Sequence, residues 1–138
     1  MSQDCIFCKI VRGEVPATKV FEDDDTIAFM DIAPVVKGHT LVIPKAHHDL
    51  LVNAPVETLQ KLIAVVQRVA TAQVKGLQAD GVSVSQVNGR IAGQVVPHVH
   101  FHVIPRFVSD GHHANWMPIK YATPDEMRQY AERIRSAL

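Results

Sequence analysis

Three histidines alternate with apolar residues in the segment VVPHVHFHVIPRF, which begins at Val95. Successive side chains of an extended strand point to opposite faces, so the pattern predicts that His98, His100 and His102 share one face. The β-branched and aromatic residues between them favour a strand whose other face packs on a core. We therefore expect a triad strand at about residues 96–107.

These imidazoles have three alternative roles. A single metal ion bound by all three is awkward, because the first and the third lie roughly 13 Å apart along a strand, although two of them could chelate an ion. Histidines scattered on a solvated face are the simplest alternative. A row of titratable groups facing an anionic ligand is the third, because imidazole exchanges its proton near neutral pH. The strict alternation argues against the scattered arrangement.

The segment HVHFHVI from His98 resembles the His-φ-His-φ-His-φ-φ pattern, where φ is apolar, of the histidine triad superfamily of nucleotide hydrolases and transferases. Further stretches resemble family segments in family order: CIFCKI at 5–10, GEVPA from 13, FEDDDTIAFMDI from 21, KGHTLVIPKAH from 37 and AGQ at 92–94. Within the family, the chain is similar to bacterial nucleotide-binding proteins of the purine nucleoside phosphoramidase branch.

The composition fits one globular domain, which we expect to span residues 1–138. Apolar residues make up 47% of the chain and charged residues 20%, which is ordinary for such a domain. Basic and acidic residues balance at 14 each, which disfavours binding to nucleic acid or to an anionic membrane. No apolar run reaches the roughly 20 residues that span a bilayer, and the first residues do not resemble a signal peptide. We expect a cytoplasmic protein.

Local patterns predict the elements that position the histidines. The one long amphipathic helix runs from about Pro55 to Leu77, where apolar residues recur at three- and four-residue steps. A capping box at Thr123 opens a final helix that ends near Ser136. A short helix is expected at 5–12, and further strands at 20–22, 26–31, 39–43 and 81–87. Together with the triad strand, these elements predict an α+β domain with an antiparallel sheet. The resemblance implies a five-stranded HIT-like fold, with residues 108–138 as a C-terminal extension.

The middle histidine of the triad, His100, is the expected nucleophile. A neutral imidazole is nucleophilic, and the resemblance implies a covalent nucleotidyl-histidine intermediate at this position. His102 is expected to donate to a phosphate oxygen, and the resemblance implies that His39 supports the site. Main-chain N–H groups of the loop Gly93-Gln94-Val95 could bind the phosphate, and the Gln94 side chain could orient the leaving group or water. The phosphoramidase branch often carries a hydroxyl residue where this chain has Val95, so only the N–H is expected to act there.

The resemblance also implies a set of nucleotide-binding residues. Asp31 would accept hydrogen bonds from the ribose hydroxyls, although its position after a strand also fits a turn cap. Asn88 would reach the ribose or the phosphate, although Asn88-Gly89 alone would be a turn. Four apolar residues would enclose the base, with core packing as the alternative for each: Phe7, Ile10, Phe29 and Ile32.

The two cysteines form a Cys-x-x-Cys motif at Cys5 and Cys8. In a reducing compartment this spacing indicates a metal half-site or a redox pair more often than a structural disulfide, and two ordinary half-buried thiols are the alternative. The resemblance implies a structural zinc site completed by His98 and His47. A Cys₂His₂ set is a closed tetrahedral site. His48 is a rival for His47 that the sequence does not separate.

The resemblance implies a hydrolase that cleaves purine nucleoside 5′-phosphoramidates or acyl-nucleotides, without an organic cofactor, and that forms a homodimer through the long helix and a sheet edge. The alternatives are a dinucleoside polyphosphate hydrolase and a nucleotide- or metal-binding module with little turnover. Local pattern places His112 and His113 in solvent, and it suggests no role for Trp116.

Overall fold

The computed structural model describes residues 4–111 and 116–138, so His112 and His113 lie outside the described residues. The elements, in chain order, are α1 (Ile6–Val11), β1 (Lys19–Glu22), β2 (Thr26–Met30), β3 (Thr40–Pro44), α2 (Val56–Leu77), β4 (Gly81–Ser85), β5 (Phe101–Arg106) and α3 (Pro124–Ser136). Short 3₁₀ turns at Leu51–Asn53 and Arg90–Ala92 lie in the connections. The predicted α+β class is confirmed, with a short N-terminal helix, one long helix and a C-terminal helix.

The five strands form one sheet in the order β1-β2-β3-β5-β4, and all neighbours are antiparallel. Strand β5 therefore lies inside the sheet, between β3 and β4. His102 pairs with Leu41 of β3 on one side and with Ser85 of β4 on the other. Since β3 starts directly after His39, this register brings His39 beside the triad.

The triad strand is shorter than the sequence predicts, because ladder pairing begins at Phe101 instead of near residue 96. Pro97 has no N–H to donate. The N–H of His98 bonds to the Val96 carbonyl at 2.9 Å, and the N–H of Val99 bonds to the His48 carbonyl at 2.7 Å. The main chain of residues 96–100 thus bonds within its own segment and to a neighbouring loop, outside the regular ladder of the sheet.

Apolar residues pack on both faces of the sheet. On one face, α2 and α3 bury the core that includes Leu62, Val66, Val69 and Ile134, so the helical stripe of α2 serves core packing as expected. On the other face, α1 packs over a second buried cluster, which includes Phe7, Cys8, Ile10, Ile27, Phe29, Leu41 and Ile43. The histidines lie at the edge of this second cluster. Within the described residues, no helix has the length and apolar character needed to cross a membrane.

Candidate active site and metal centre

A cavity of about 470 Å³ lies between α1, the end of β2 and the triad segment. Its lining includes most of the residues expected to bind a nucleotide: Phe7, Ile10, Phe29, Asp31, Ile32, Gly93, Val95, His100 and His102. The sequence therefore identified one connected surface from residues that are up to 95 positions apart in the chain.

One end of the cavity is aromatic and apolar. The rings of Phe7 and Phe29 meet edge to face with centroids 5.6 Å apart, and Phe7 meets His100 in the same way at 5.1 Å. Phe7, Ile10 and Phe29 are buried, whereas Ile32 is 77% exposed and lies at the rim. This end offers a flat apolar ligand edge contacts from two aromatic rings.

His100 is held in one tautomer by the main chain. Its Nδ1 lies 2.7 Å from the carbonyl oxygen of His98, and because a carbonyl only accepts, Nδ1 carries the proton. The other nitrogen, Nε2, then has a free lone pair. Burial lowers the pKa of His100 below its usual value, against the opposing effect of the His98 carbonyl. The ring is therefore neutral and nucleophilic near pH 7.

His102 is held in the opposite tautomer by a chain of hydrogen bonds through His39. The N–H of Val35 donates to Nδ1 of His39 at 3.2 Å, so the proton of a neutral His39 is on Nε2. That Nε2 lies 2.9 Å from Nδ1 of His102, which must accept. The proton of His102 is consequently on its own Nε2. His39 is fully buried, and His102 lines the cavity, so this chain presents a hydrogen-bond donor to a ligand.

Asp31 lies directly after β2 and lines the same cavity. Its Oδ1 accepts from the Ala33 N–H at 2.9 Å, as a turn cap would, and its Oδ2 lies 3.5 Å from Nε2 of His39. Burial raises the pKa of Asp31, and the Ala33 N–H partly offsets this effect. Both sequence-based interpretations of Asp31 are thus compatible, since one oxygen caps the turn while the other remains near the cavity.

The loop formed by residues 88–95, which we call the phosphate loop, offers fewer donors than expected. The N–H of Gly93 bonds to the Arg90 carbonyl, and the N–H of Gln94 bonds to the Gly89 carbonyl, both at 3.0 Å. Within the described residues, the N–H of Val95 makes no backbone hydrogen bond. Of the three N–H groups expected to bind the phosphate, the one left to a ligand is therefore that of Val95, a residue that is 89% exposed at the cavity edge.

Gln94 and Asn88 do not line this cavity. The amide of Gln94 is buried and is used within the protein, with Nε2 donating to the Asp49 and Val96 carbonyls at 2.8 and 3.0 Å. The side-chain Oδ1 of Asn88 accepts from the Leu51 N–H at 2.7 Å and from Nε2 of Gln86 at 3.0 Å, and its Nδ2 donates to Oε1 of Gln86 at 2.6 Å. In this structure both side chains hold loops together.

A second cluster brings together the four residues expected to bind metal: Cys5, Cys8, His47 and His98. Their ligand atoms all lie within 4.8 Å of one another, and both cysteines are buried and unpaired by a disulfide. Nδ1 of His98 lies 3.4 Å from Cys5 Sγ, and Nδ1 of His47 lies 3.2 Å from Cys8 Sγ. Two thiolates and two imidazoles are soft donors, and four ligands are the number that a tetrahedral zinc site requires.

The remaining ring nitrogens also fit a metal centre. Nε2 of His98 lies 2.8 Å from the Pro44 carbonyl, and Nε2 of His47 lies 2.6 Å from Oδ1 of Asp49. Each Nε2 therefore donates, which leaves each Nδ1 lone pair directed at the sulfurs, as in metal-bound histidines. The sequence left His47 and His48 as rivals. The structure places His47 in the cluster, whereas His48 contributes its main-chain carbonyl to Val99.

A group comprising Asp31, His39 and His102 is also close enough to hold a cation. The hydrogen bonds argue against that role. Because Nδ1 of His39 already accepts from Val35, a metal on its Nε2 would require a doubly deprotonated ring. This group is better suited to fixing a proton position than to binding an ion.

Trp116 is a cavity residue that the sequence analysis did not identify. Its ring meets His102 at 4.9 Å and His39 at 5.5 Å, edge to face in both cases, and it is about half exposed. It follows irregular sequence well beyond the triad, so no local pattern indicated it. Asp49 was also missed, although its position two residues after His47 is a weak signal for a partner of that ring.

Comparisons with known proteins identify what the chain is similar to. The profile of the HIT domain family matches residues 12–109. An adenosine 5′-monophosphoramidase of Schizosaccharomyces pombe is 40% identical over 135 residues, which covers 97% of this chain and 98% of that protein. The crystal structure of a Hit-like protein from Bartonella henselae, described as involved in cell-cycle regulation, superposes with a TM-score of 0.90 at 43% identity, covering 100% of this chain and 98% of that one.

A zinc-bound histidine triad family protein from Mycobacterium smegmatis superposes with a TM-score of 0.87 at 37% identity, covering 99% of this chain and 94% of the other. The match to the family profile extends over well more than half of the chain. The ordered motifs, the antiparallel sheet and the adjacent histidines lead to the same conclusion, which is that this chain belongs to the HIT domain family.

Proposed function

We propose that this protein is a hydrolase of nucleotide derivatives, and that it cleaves purine nucleoside 5′-phosphoramidates or acyl-nucleotides through a covalent intermediate on His100. The observation that carries the proposal is the bond from Nδ1 of His100 to the His98 carbonyl. It leaves the Nε2 lone pair of a neutral, buried imidazole in a cavity with an aromatic end. The name of the fission yeast relative, adenosine 5′-monophosphoramidase, supports the substrate class.

In the first step, Nε2 of His100 attacks the α-phosphorus of the bound substrate. A bond forms between Nε2 and phosphorus, and the bond from phosphorus to the leaving amine or carboxylate breaks with its electron pair. A leaving amine takes one proton from bulk water, which is returned to the solvent when water attacks in the second step, whereas a carboxylate leaves as an anion. The nucleotidyl-histidine that results divides one difficult displacement into two easier ones.

In the second step, water attacks the same phosphorus and the bond to Nε2 breaks. The water proton is released, the nucleoside monophosphate leaves and the His100 lone pair is restored. Charge on the phosphate oxygens rises in both transition states. The Nε2–H of His102, fixed by His39, and the N–H of Val95 are the donors that would stabilise this charge.

The nucleoside would occupy the apolar end, with its base against Phe7 and Phe29 and its ribose near Asp31. Stacking and edge contacts with two rings favour a large planar base. The Oδ2 atom of the Asp31 carboxylate would accept hydrogen bonds from the ribose hydroxyls. Because burial disfavours the charged carboxylate, donation from two hydroxyls would be more favourable here than in water.

We also propose that Cys5, Cys8, His47 and His98 hold a structural zinc ion. The zinc-bound relative from M. smegmatis supports this assignment, as does the donor set of the cluster. A bound zinc ion would supply a cross-link between α1, the loop after β3 and the triad segment. Since α1 also carries Phe7 and Ile10, the cross-link would hold part of the nucleotide cavity in place.

A single domain and a homodimer complete the proposal. The family profile ends at residue 109, and α3 packs against α2 beyond that limit, so we infer that residues 108–138 extend the same domain. On α2 the side chains of Val56, Ile63 and Val74 are 67%, 51% and 46% exposed. Exposed apolar side chains on the long helix support dimerisation with a second copy of this chain. Sedimentation velocity would test whether the protein is a dimer.

The test is release of ammonia and AMP from adenosine 5′-phosphoramidate, with His100→Ala compared with the intact protein. We expect the variant to lose more than about 1,000-fold in kcat, as for loss of a nucleophile, while AMP still binds. His48→Ala removes a histidine outside the cavity and serves as the control. Turnover by His100→Ala at the intact rate would refute the proposed nucleophile. Turnover of dinucleoside polyphosphates alone, or AMP binding without any turnover, would favour the two alternative functions.

A further inference from the structure

Asp49 contacts both the metal centre and the phosphate loop. Its Oδ1 lies 2.6 Å from Nε2 of His47, on the side of the ring away from the cysteine cluster. Its main-chain carbonyl accepts a hydrogen bond from Nε2 of Gln94 at 2.8 Å. One residue therefore joins a candidate metal ligand to the loop that precedes the triad.

Gln94 in turn fixes the shape of the phosphate loop. Its Oε1 accepts from the Gly89 N–H at 2.7 Å, and its Nε2 also donates to the Val96 carbonyl at 3.0 Å. The side chain is 95% removed from solvent, being 5% exposed. Because these bonds span both ends of the loop, the position of Val95 and its N–H depends on the Gln94 amide.

The other ligands are also attached directly to the cavity. Cys5, the N-cap of α1, and Cys8 on α1 lie on either side of Phe7 in the chain, and Phe7 contacts His100. His98 supplies a ring nitrogen to the cluster and a carbonyl oxygen to His100. The segments that carry the cysteines and His98 thus continue into walls of the nucleotide cavity, and the segment with His47 is connected to the phosphate loop through Asp49.

We propose that Asp49 is a positioning residue that couples metal occupancy of the cluster to nucleotide binding at the phosphate loop. A His47 ring fixed in the cluster keeps its Nε2–H on Asp49, and the main chain of Asp49 then keeps Gln94 in place. A group that accepts a hydrogen bond from a metal-binding histidine orients the histidine ring and restricts its motion. The inference rests on the proposed function, because it assumes that the cavity binds a nucleotide.

Coupling between two binding equilibria is reciprocal. If zinc strengthens AMP binding by some factor, AMP must strengthen zinc binding by the same factor. We expect a factor of about 10, within the usual range for coupled sites. This reciprocity gives two independent measurements of one quantity, neither of which involves turnover.

The experiment measures AMP binding by calorimetry to the full chain with and without Zn²⁺, and Zn²⁺ binding with and without AMP. Asp49→Asn retains the size of the side chain but removes its charge, and we expect it to reduce the coupling to less than about threefold. Asp24→Asn is the matched control, since Asp24 is an exposed carboxylate on the β1–β2 turn. The absorption spectrum of bound Co²⁺ would show that each variant retains a tetrahedral site.

Equal AMP affinity in the zinc-loaded and zinc-free protein would overturn the coupling. Undiminished coupling in Asp49→Asn would overturn the role of Asp49 and leave α1 and His98 as the connection. Absence of AMP binding to the zinc-loaded protein would instead refute the proposed function. If circular dichroism shows that the zinc-free chain is unfolded, the zinc-loaded proteins are compared directly. AMP should then bind Asp49→Asn about tenfold more weakly than Asp24→Asn, and equal affinities would overturn the proposal.

Discussion

The carbonyl oxygen of His98 accepts a hydrogen bond from Nδ1 of His100 at 2.7 Å, while the His98 ring lies in the cysteine cluster. One residue thus contributes its side chain to the candidate metal centre and its main chain to the candidate nucleophile. Because the acceptor is a main-chain atom, substitution of a neighbouring side chain cannot remove it. The tautomer of His100 depends on the path of residues 96–100, which lie outside the regular strand.

The pH dependence of catalysis follows from the burial of the histidines. Burial lowers the pKa of His100, and it lowers that of His102 to about 4. A lowered pKa keeps each ring neutral to a lower pH, so we expect the acid limb of kcat/KM to have its midpoint below about 6.5, the ordinary value for histidine. The measurement is hydrolysis of adenosine 5′-phosphoramidate against pH, with the uncatalysed rate subtracted. A midpoint above that value would contradict a desolvated nucleophile.

His39 should affect the rate more than binding. In His39→Leu the Nε2–H that donates to His102 is lost, so His102 can adopt the wrong tautomer. We expect kcat to fall by about 10- to 100-fold with a smaller change in the affinity for AMP. His39→Gln retains an N–H near the position of Nε2 and should recover part of the loss. Equal rates for the Leu and Gln variants would show that His39 acts only through packing.

Several parts of the fold and site were predictable because they depend on local pattern. The apolar stripe of α2 and the alternation of histidines with apolar residues around His102 follow the side-chain periods of a helix and a strand. A buried core selects these periods in any fold. The ends of elements were less predictable. The helix α2 ends at Leu77 with Gly76 in its last turn, as the pattern predicts, but the left-handed residue that follows is Gln78 and not a glycine. A Cβ at Gly76 would lie 2.2 Å from the Arg133 carbonyl oxygen, so this glycine is required by the contact with α3.

The roles of polar side chains were the least predictable part of the site. Gln94 and Asn88 have the residue types and positions of ligand-binding groups, but their amides bond to loops. Which partner an amide selects depends on atoms brought together by folding, such as the Asp49 carbonyl, which is 45 positions away from Gln94. The contact of Trp116 with His102 is long-range in the same sense.

Asp31 should discriminate ribose from deoxyribose. If its carboxylate accepts from both ribose hydroxyls, 2′-deoxy-AMP should bind about 10- to 100-fold more weakly than AMP, since hydrogen bonds to charged groups contribute about 1.5–3 kcal/mol. In Asp31→Asn the ratio should shrink because a neutral amide oxygen is a weaker acceptor. Calorimetric titration of the two nucleotides gives the ratio directly. The same ratio in the variant and in the intact protein would place the ribose elsewhere.

Adjacent histidines provide a matched test of the metal centre. Nδ1 of His47 lies 3.2 Å from Cys8 Sγ and its Nε2 is paired with Asp49, whereas His48 is outside the cluster. We expect His47→Ala to lower zinc affinity by at least about tenfold, because three ligands and an unpaired Asp49 remain. His48→Ala, which removes the same number of atoms one residue away, should bind zinc as the intact chain does. Zinc content after dialysis against a weak chelator, measured by atomic emission, distinguishes the variants. Loss of zinc from His48→Ala but not from His47→Ala would reverse the ligand assignment, and it would also remove the connection from the cluster to Asp49.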